Sequence, residues 1–373
     1  TKCFSETSTA LRQAKKVCLF GVGTYFNDCF EQICMALGRK PDYLSDNSES
    51  KWGKSFFGIE CVSPENIKEC GDGLLVVITV RQYEPIYEQL KRLGVQNVQL
   101  MSFDRGFSYI ANLSELPLPQ VVTSKPLNFK HLVGKWALVT GASRGVGFQV
   151  ATALAEVGIN IVAHSRKQEH NFEVINACEK SGVQTLSIGA ELADIPNLED
   201  ILRQLPDIDI LINCAGISGA CETMWQVNYK DYVNTYTVNT VVPIIISNYF
   251  IPKMLKRGYG RVINVSSTIQ HRPYEMAYAC SKAALDKYVN DIVPSLGEEA
   301  NVKMCLVDPG WVRTDMGGEL ASHDVDSVLP GAILGVVMDD YKNGRWFSVQ
   351  DYTGYDLQSA VAKAKWLELN SAC

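Results

Sequence analysis

Histidine is scarce in this chain, and its five residues (His131, His164, His170, His271 and His323) show no His-x-x-x-His spacing, so no protein metal site is expected. Cysteine is plentiful, yet none of the twelve residues forms a Cys-x-x-Cys pair. That absence argues against zinc ribbons and dithiol redox motifs, and the thiols read as reduced, mostly buried and cytoplasmic. Long apolar runs are also missing. The longest, around Val241 to Ile246, falls far short of the ~20 apolar residues that a membrane-crossing helix needs. The first residues are mixed and polar, without a positive segment leading into an apolar run, which predicts no signal peptide. Positive charge is not in excess either. The net charge is −6, with 14 basic and 14 acidic residues up to residue 125 and 21 against 27 beyond it. A nucleic-acid partner is therefore not expected.

With 46% hydrophobic and 20% charged residues, the 373-residue chain has ample material for folded cores. At about 150 residues per domain it predicts two of them. Lys16–Gly21 reads as a strand, Gly21-Val22-Gly23 as a tight turn and Asp28–Leu37 as a helix. An extended piece near Pro41–Leu44, a strand at Leu74–Val80, a helix at Glu84–Leu93 and a strand at Val98–Met101 complete a small parallel-sheet α/β domain over residues 1–112. Pro117, Pro119 and Pro126 break the pattern and mark a linker over 113–130. From residue 131 to 373 a second alternation begins, with strands at Ala137–Val139, Asn160–Ala163, Thr185–Ile188, Ile208–Ile212, Val262–Val265, Val302–Val307 and Trp346–Val349. Helices at Val146–Val157, Phe172–Ser181, Asn197–Gln204, Val241–Lys256 and Ala277–Leu296 lie between them. The fold class expected is α/β, a doubly wound parallel Rossmann sheet preceded by a smaller Rossmann-like domain.

Two motifs carry the chemistry. Trp136–Thr140 is a buried strand running into Gly141-Ala-Ser-Arg-Gly-Val-Gly147, the turn that lets a backbone approach a pyrophosphate at a helix N-terminus. The following strand ends in His164-Ser165-Arg166, where an acidic residue would accept hydrogen bonds from an NAD ribose. Arg144 and Arg166 are placed instead to clamp a 2′-phosphate, so NADP(H) is the expected cofactor. Far downstream, Tyr278 and Lys282 are four residues apart and share a helix face. A neighbouring ammonium stabilises a phenolate and suits a phenol to proton transfer near neutrality. Val265-Ser266-Ser267 at a strand end supplies a hydroxyl to orient a carbonyl oxygen.

With these motifs in hand, residues from about 132 to 357 resemble the short-chain dehydrogenase/reductase family. The resemblance extends to Asn213-Cys-Ala-Gly216, Asn239, Ser267, Tyr278, Lys282 and Pro309-Gly310. It implies Asn239, Ser267, Tyr278 and Lys282 as the catalytic set, with Asn239 anchoring a proton-relay water and Lys282 also holding the nicotinamide ribose. It further implies cofactor contacts at Gly141, Ser143, Arg144, Val146, Gly147, Arg166, Glu191, Leu192, Asn213, Ala215, Gly216, Tyr278, Lys282, Pro309, Gly310, Val312 and Thr314. Asp308–Gly318 resembles the segment of carbonyl-reductase-like members that contacts nicotinamide and opens the substrate loop. Ser267 lies eleven residues before Tyr278 where about thirteen is usual, and Ser266 is an alternative for its role. In the bulky intervening loop, His271 and Arg272 read as exposed polar residues or as a grip on a negatively charged substrate. Cys280 reads as a buried small side chain.

Residues 16 to about 104 resemble small nucleotide-binding-like modules beside bacterial sugar-modifying and polysaccharide enzymes. The likeness implies a nucleotide or nucleotide sugar at Gly21, Gly23 and Asp46, with docking or dimerisation as the alternative. The combined expectation is an NADP(H)-dependent ketoreductase acting on a small-molecule carbonyl, a keto-sugar or nucleotide-linked sugar, as a cytoplasmic homodimer or homotetramer. A general reductase of small ketones and a catalytically silent NADP sensor or scaffold are the alternatives.

Overall fold

The computed structural model describes residues 14–23, 26–27, 30–31, 34, 38–71, 73–80, 83–104, 107–112, 128–219, 225, 228–269, 273–297, 300–340 and 342–371, the side chains of 101–112, 273 and 366–371 excepted. The chain divides into two compact units, residues 1–123 with 362–373 and residues 124–361. The last twelve residues thus group with the first unit, where the sequence had assigned them to the second. Most of the expected linker lies outside the described residues.

The first unit holds β1 (Lys16–Phe20), β2 (Tyr43–Ser45), β3 (Ser55–Phe56), β4 (Ile59–Val62), β5 (Leu74–Ile78), helix α1 (Glu84–Arg92), β6 (Val98–Asp104) and β7 (Phe107–Asn112). The strand order is β3-β4-β2-β1-β5-β6-β7. Its centre is parallel as expected, but β3 runs antiparallel to β4 and β7 to β6, so the sheet is mixed. The first reversal is a two-residue turn, Phe57-Gly58, with φ of 54° and 79°. Phenylalanine is strained in that left-handed conformation, and its ring stacks on Phe30 at 4.1 Å between centroids. Alternating residues of β1 feed two cores, Val17 and Leu19 on one face and Cys18 and Phe20 on the other.

In the second unit β8 (Trp136–Thr140), α2 (Gly145–Glu156), β9 (Asn160–Ser165), α3 (Phe172–Glu179), β10 (Thr185–Gly189), α4 (Ile195–Gln204) and β11 (Ile210–Asn213) come first. The helix α5 (Tyr229–Arg257), β12 (Gly260–Val265), α6 (Met276–Ile292), β13 (Val302–Asp308) and β14 (Trp346–Ser348) follow, and the last helix, α7 (Leu357–Ser371), starts in this unit and continues into the residues grouped with the first. The seven strands are ordered β10-β9-β8-β11-β12-β13-β14 and pair in parallel throughout. Every residue of β9, β12 and β13 is buried, as strands covered by helices on both faces must be. The order reverses between β8 and β11, which opens a crevice at their carboxyl ends, the place where such sheets bind ligands.

Helix α5 starts a dozen residues before the expected Val241. By length and composition it is the one described helix able to cross a membrane, but Val242, Ile246, Phe250 and Met254 pack it into the core of this unit.

Candidate active site

Thr140 ends β8 inside the crevice. Its hydroxyl donates to Ile212 O and accepts from the backbone N–H groups of Cys214 and Ala215 at 3.0 and 3.1 Å, which ties the two switch-point strands together. The next turn needs glycine. Gly141 and Gly145 have φ of 68° and 59°, a Cβ on Gly141 would lie 3.0 Å from Ala215 Cα, and one on Gly147 would run into Gly141 O. These three positions leave a cradle of backbone at the start of α2, whose N-cap residue Arg144 makes no side-chain capping bond. Free N–H groups and the helix dipole at such a start suit a pyrophosphate, so the residues present fit a dinucleotide.

Behind the cradle lies a residue the sequence reading passed over. His164 is buried; its Nδ1 accepts from Gly141 N at 3.4 Å and its Nε2 donates to Ala190 O at 3.1 Å. Burial pushes its pKa down to about 4, against weaker upward pulls from the Ala190 bond and Glu191. The ring is therefore neutral at physiological pH, as its two opposite hydrogen bonds require. Arg166 is exposed at the end of β9. Arg144 pairs with Asp315 at 2.9 Å, both side chains mostly exposed, a pair weak enough to yield to a phosphate.

Across the crevice, Asn213 is turned into the core, donating to Asn264 Oδ1 at 2.9 Å and Ser247 Oγ at 3.2 Å. Leu192 also belongs to the core, and Glu191 is exposed. The side chains of Asn213 and Leu192 thus support the sheet rather than face the crevice. A Cβ on Gly216 would lie 3.3 Å from Asn239 Oδ1 and 3.7 Å from Lys282 Nζ, so the glycine leaves room beside these two side chains.

Asn239 sits in a π-helical turn, Thr237–Val241, within α5, a local irregularity common at functional sites. Its Oδ1 accepts from Ile217 N at 2.9 Å, and its Nδ2 donates to Ile217 O at 2.9 Å and Ser281 Oγ at 3.0 Å. The side chain therefore ties α6 to the loop after β11. Lys282, 3% exposed, donates from Nζ to Val265 O at 2.7 Å and lies 5.8 Å from the Tyr278 ring centre. Burial pulls its pKa down to about 8, with Cys214 and Asp286 pulling upward.

Of the two candidate serines, Ser266 is wholly buried and gives its hydroxyl to Asp286, which removes it as an alternative. Ser267 is near enough to pull on the Tyr278 phenol, so the short spacing still brings serine and tyrosine together. One expectation is reversed. The Tyr278 phenol is pushed above its usual range, not below it, because burial and then Asp308 outweigh the downward pull of Ser267, with Glu275 and Cys214 adding to the rise. Tyr278 is therefore held as the protonated phenol, an acid.

Comparison with known proteins agrees with this geometry, for residues 135–325 match the family model for short chain dehydrogenases. The chain belongs to the short-chain dehydrogenase family. It is 29% identical over 210 residues to a hydroxynaphthalene reductase-like protein, Arp2, of Metarhizium robertsii, covering 54% of this chain and 77% of the relative. An uncharacterized oxidoreductase of Thermotoga maritima is 28% identical over 189 residues, 49% of this chain and 73% of that one. Among solved structures, a metagenomic short-chain oxidoreductase in complex with NADP superposes with a TM-score of 0.50 at 23% identity, covering 58% of this chain and 96% of that one, a likeness of fold.

In this short-chain dehydrogenase the segment after β13 closes the front of the crevice. Asp308, buried, accepts from Gly310 N at 2.9 Å and from Thr268 Oγ1 at 2.6 Å, joining the two loops beside Tyr278. Gly310 has φ of 72° and packs against Gln350, whose Nε2 donates to Pro309 O at 2.8 Å. Val312 is buried, and the Thr314 methyl lies 3.3 Å from where a Cβ of Gly145 would be. Thr314 thereby covers the glycine turn, and its hydroxyl accepts from Gly317 N at 3.1 Å. Ser143 and Val146 lie half-buried in the glycine turn and the first turn of α2. Cys280 is half-buried, near enough to Tyr236 to act on its phenol. His271 and Arg272 lie outside the described residues.

Proposed function

We propose that the chain is an NADP(H)-dependent ketoreductase interconverting a carbonyl and a secondary alcohol. The observation that carries the reading is the Tyr278 phenol, with Ser267 acting on it and the buried Lys282 one helical turn away, downstream of a glycine cradle suited to a dinucleotide. Gly141, Gly145 and Gly147 would take the pyrophosphate, and Arg144 with Arg166 the 2′-phosphate, since no acid stands at the end of β9 to prefer a free ribose. When bound, the reduced nicotinamide supplies a hydride to the carbonyl carbon. Ser267 orients the carbonyl oxygen and Tyr278 gives it the phenolic proton, leaving the alcohol. Lys282, as an ammonium, stabilises the phenolate that remains.

For the substrate we take an uncharged apolar ketone ahead of the keto-sugar or nucleotide-linked sugar that the first unit's resemblance suggests. Tyr274 and Met276 before Tyr278, and Trp311, Met316 and Leu320 after β13, are exposed, and Met316 Cε reaches to within 3.9 Å of a Gly216 Cβ position. The charges acting on Tyr278 from this side, Asp308 and Glu275, are acids that disfavour a diphosphate. On this reading the enzyme is cytoplasmic and a homodimer or homotetramer, with a solution mass of two or four chains expected.

Two experiments test this. Tyr278→Phe is expected to keep NADPH binding and lose at least ~10³-fold in turnover, within the scale of general acid catalysis; an active variant would remove the assignment. NADPH consumption against aryl and alkyl ketones, free keto-sugars and keto-nucleotide sugars should favour the uncharged ketones. Preference for the nucleotide sugars would reverse the choice of substrate, and NADPH binding without turnover of anything would favour the sensor.

A further inference from the structure

Three consecutive residues at the end of β12 are tied to three successive turns of α6. Val265 O accepts from Lys282 Nζ at 2.7 Å, Ser266 Oγ donates to Asp286, and Ser267 lies near enough to Tyr278 to act on its phenol. Tyr278, Lys282 and Asp286 are spaced by four, so they form one column on the helix. The proposed chemistry uses the first two and Ser267, and leaves the wholly buried Ser266 and the half-buried Asp286 without a part.

We infer that Asp286 is a positioning residue for the catalytic lysine: its carboxylate, held in place by the Ser266 hydroxyl, keeps the Lys282 side chain in the charged form that the tyrosine needs. The inference rests on the ketoreductase reading for its consequence, but not for its test. Lys282 has little other support. Among the described residues, the ionisable groups acting on it are Cys214, just after β11, and Asp286 on its own helix, with the Tyr278 ring centre 5.8 Å away. The Cys214 thiol is pushed up to about 11 by burial and so stays neutral at physiological pH. That leaves Asp286 as the full negative charge acting on an ammonium whose burial already works against it. The Ser266 hydrogen bond serves the same end, because it fixes the carboxylate to the strand that also presents Val265 O to Lys282.

The decisive comparison is Asp286→Asn, which keeps an oxygen for the Ser266 hydroxyl and removes the charge. With lysine labelled at Cε in the full-length protein, and the Lys282 resonance assigned by its loss in Lys282→Met, the titration midpoint is read directly by NMR. The wild-type midpoint is expected near 8. In Asp286→Asn it should fall by about one pH unit, a tenfold change in the ionisation constant, and Asp286→Glu should restore it. In Ser266→Ala, with both charges present, the fall should be smaller. An Asp286→Asn midpoint equal to wild type overturns the inference, whatever the protein reduces. Should Asp286→Asn fail to fold, Ser266→Ala decides: a lowered midpoint supports the proposal and an unchanged one overturns it. Where turnover is measurable, the decline of kcat above pH 8 should move with the midpoint while NADPH affinity at pH 6 stays within about twofold. If the NMR shift is present and no carbonyl is reduced, the ketoreductase reading fails and the positioning role stands.

Discussion

A buried imidazole at the end of β9 accepts the Gly141 N–H on Nδ1 and gives its own Nε2 proton to Ala190 O, an arrangement open only to the neutral ring. Its folded pKa of about 4 lies below the ordinary histidine value of 6.5, so the unfolded chain binds a proton that the folded chain refuses. The stability this contributes is complete above pH 6.5 and is lost as the pH falls through that value toward 4. A tenfold difference in proton affinity is worth about 1.4 kcal/mol, so the loss is on the order of 3 kcal/mol at most. Urea unfolding at pH 7.5 and 4.5 should show it for the wild type. His164→Gln should be less stable at pH 7.5 and have a flatter dependence below 6.5. Parallel curves for the two proteins would mean that this ring is not the group being protonated.

At the scale of the element, the β8 strand, its glycine turn and α2 were legible from Trp136 to Gly147, because each glycine answers a local backbone demand that leaves a mark in the sequence. The same holds for Tyr278 and Lys282, fixed by helical spacing, and for the parallel order of the second sheet, fixed by alternation of strand and helix. What escaped notice is held by partners distant in the chain: Thr140 bridging to Cys214, His164 beneath Gly141, Asp308 joining the loops of Thr268 and Gly310. The raised Tyr278 pKa was missed for a related reason. Spacing revealed the lysine nearby, whereas burial and Asp308 come from the fold. The antiparallel β3–β4 edge of the first sheet was missed because Phe57 occupies a turn position that usually announces itself with Asn or Asp. A methyl at Gly147 would meet Gly141 O and lie 2.8 Å from its carbonyl carbon, so the first turn of α2 must move. Gly147→Ala should lower NADPH affinity at least ~10-fold and cost about 1–3 kcal/mol of stability, as overpacking does. A fluorescence titration with a melting curve checks both, and unchanged affinity would show that this turn does not carry the pyrophosphate.

For the whole molecule the question is how many dinucleotides one chain binds, because a glycine turn follows the first strand of each sheet, at Gly21–Gly23 and at Gly141–Gly147. In each case the strand lies between two parallel neighbours, β2 and β5 for β1, and β9 and β11 for β8. The two turns differ in what fills them. A Cβ on Gly21 would run into the Val80 side chain, so the room that glycine makes there is taken up by the protein itself. Asp46, at the position where an acid would meet a ribose, already accepts from Val22 N at 2.7 Å, Ser48 N at 2.9 Å and Lys51 Nζ at 2.9 Å. Lys51 also donates to Val22 O at 2.7 Å and so closes the ring of bonds. A ribose would have to break a charge-assisted pair to replace them, whereas the Gly141–Gly147 turn presents backbone N–H groups that no capping side chain has claimed. Calorimetric titration of the full chain with NADPH should therefore give one site. Lys51→Ala should lower the melting temperature by a few degrees, corresponding to about 1 kcal/mol, and leave that site's affinity unchanged. Two sites per chain, or a loss of NADPH affinity in Lys51→Ala, would return nucleotide binding to the first unit.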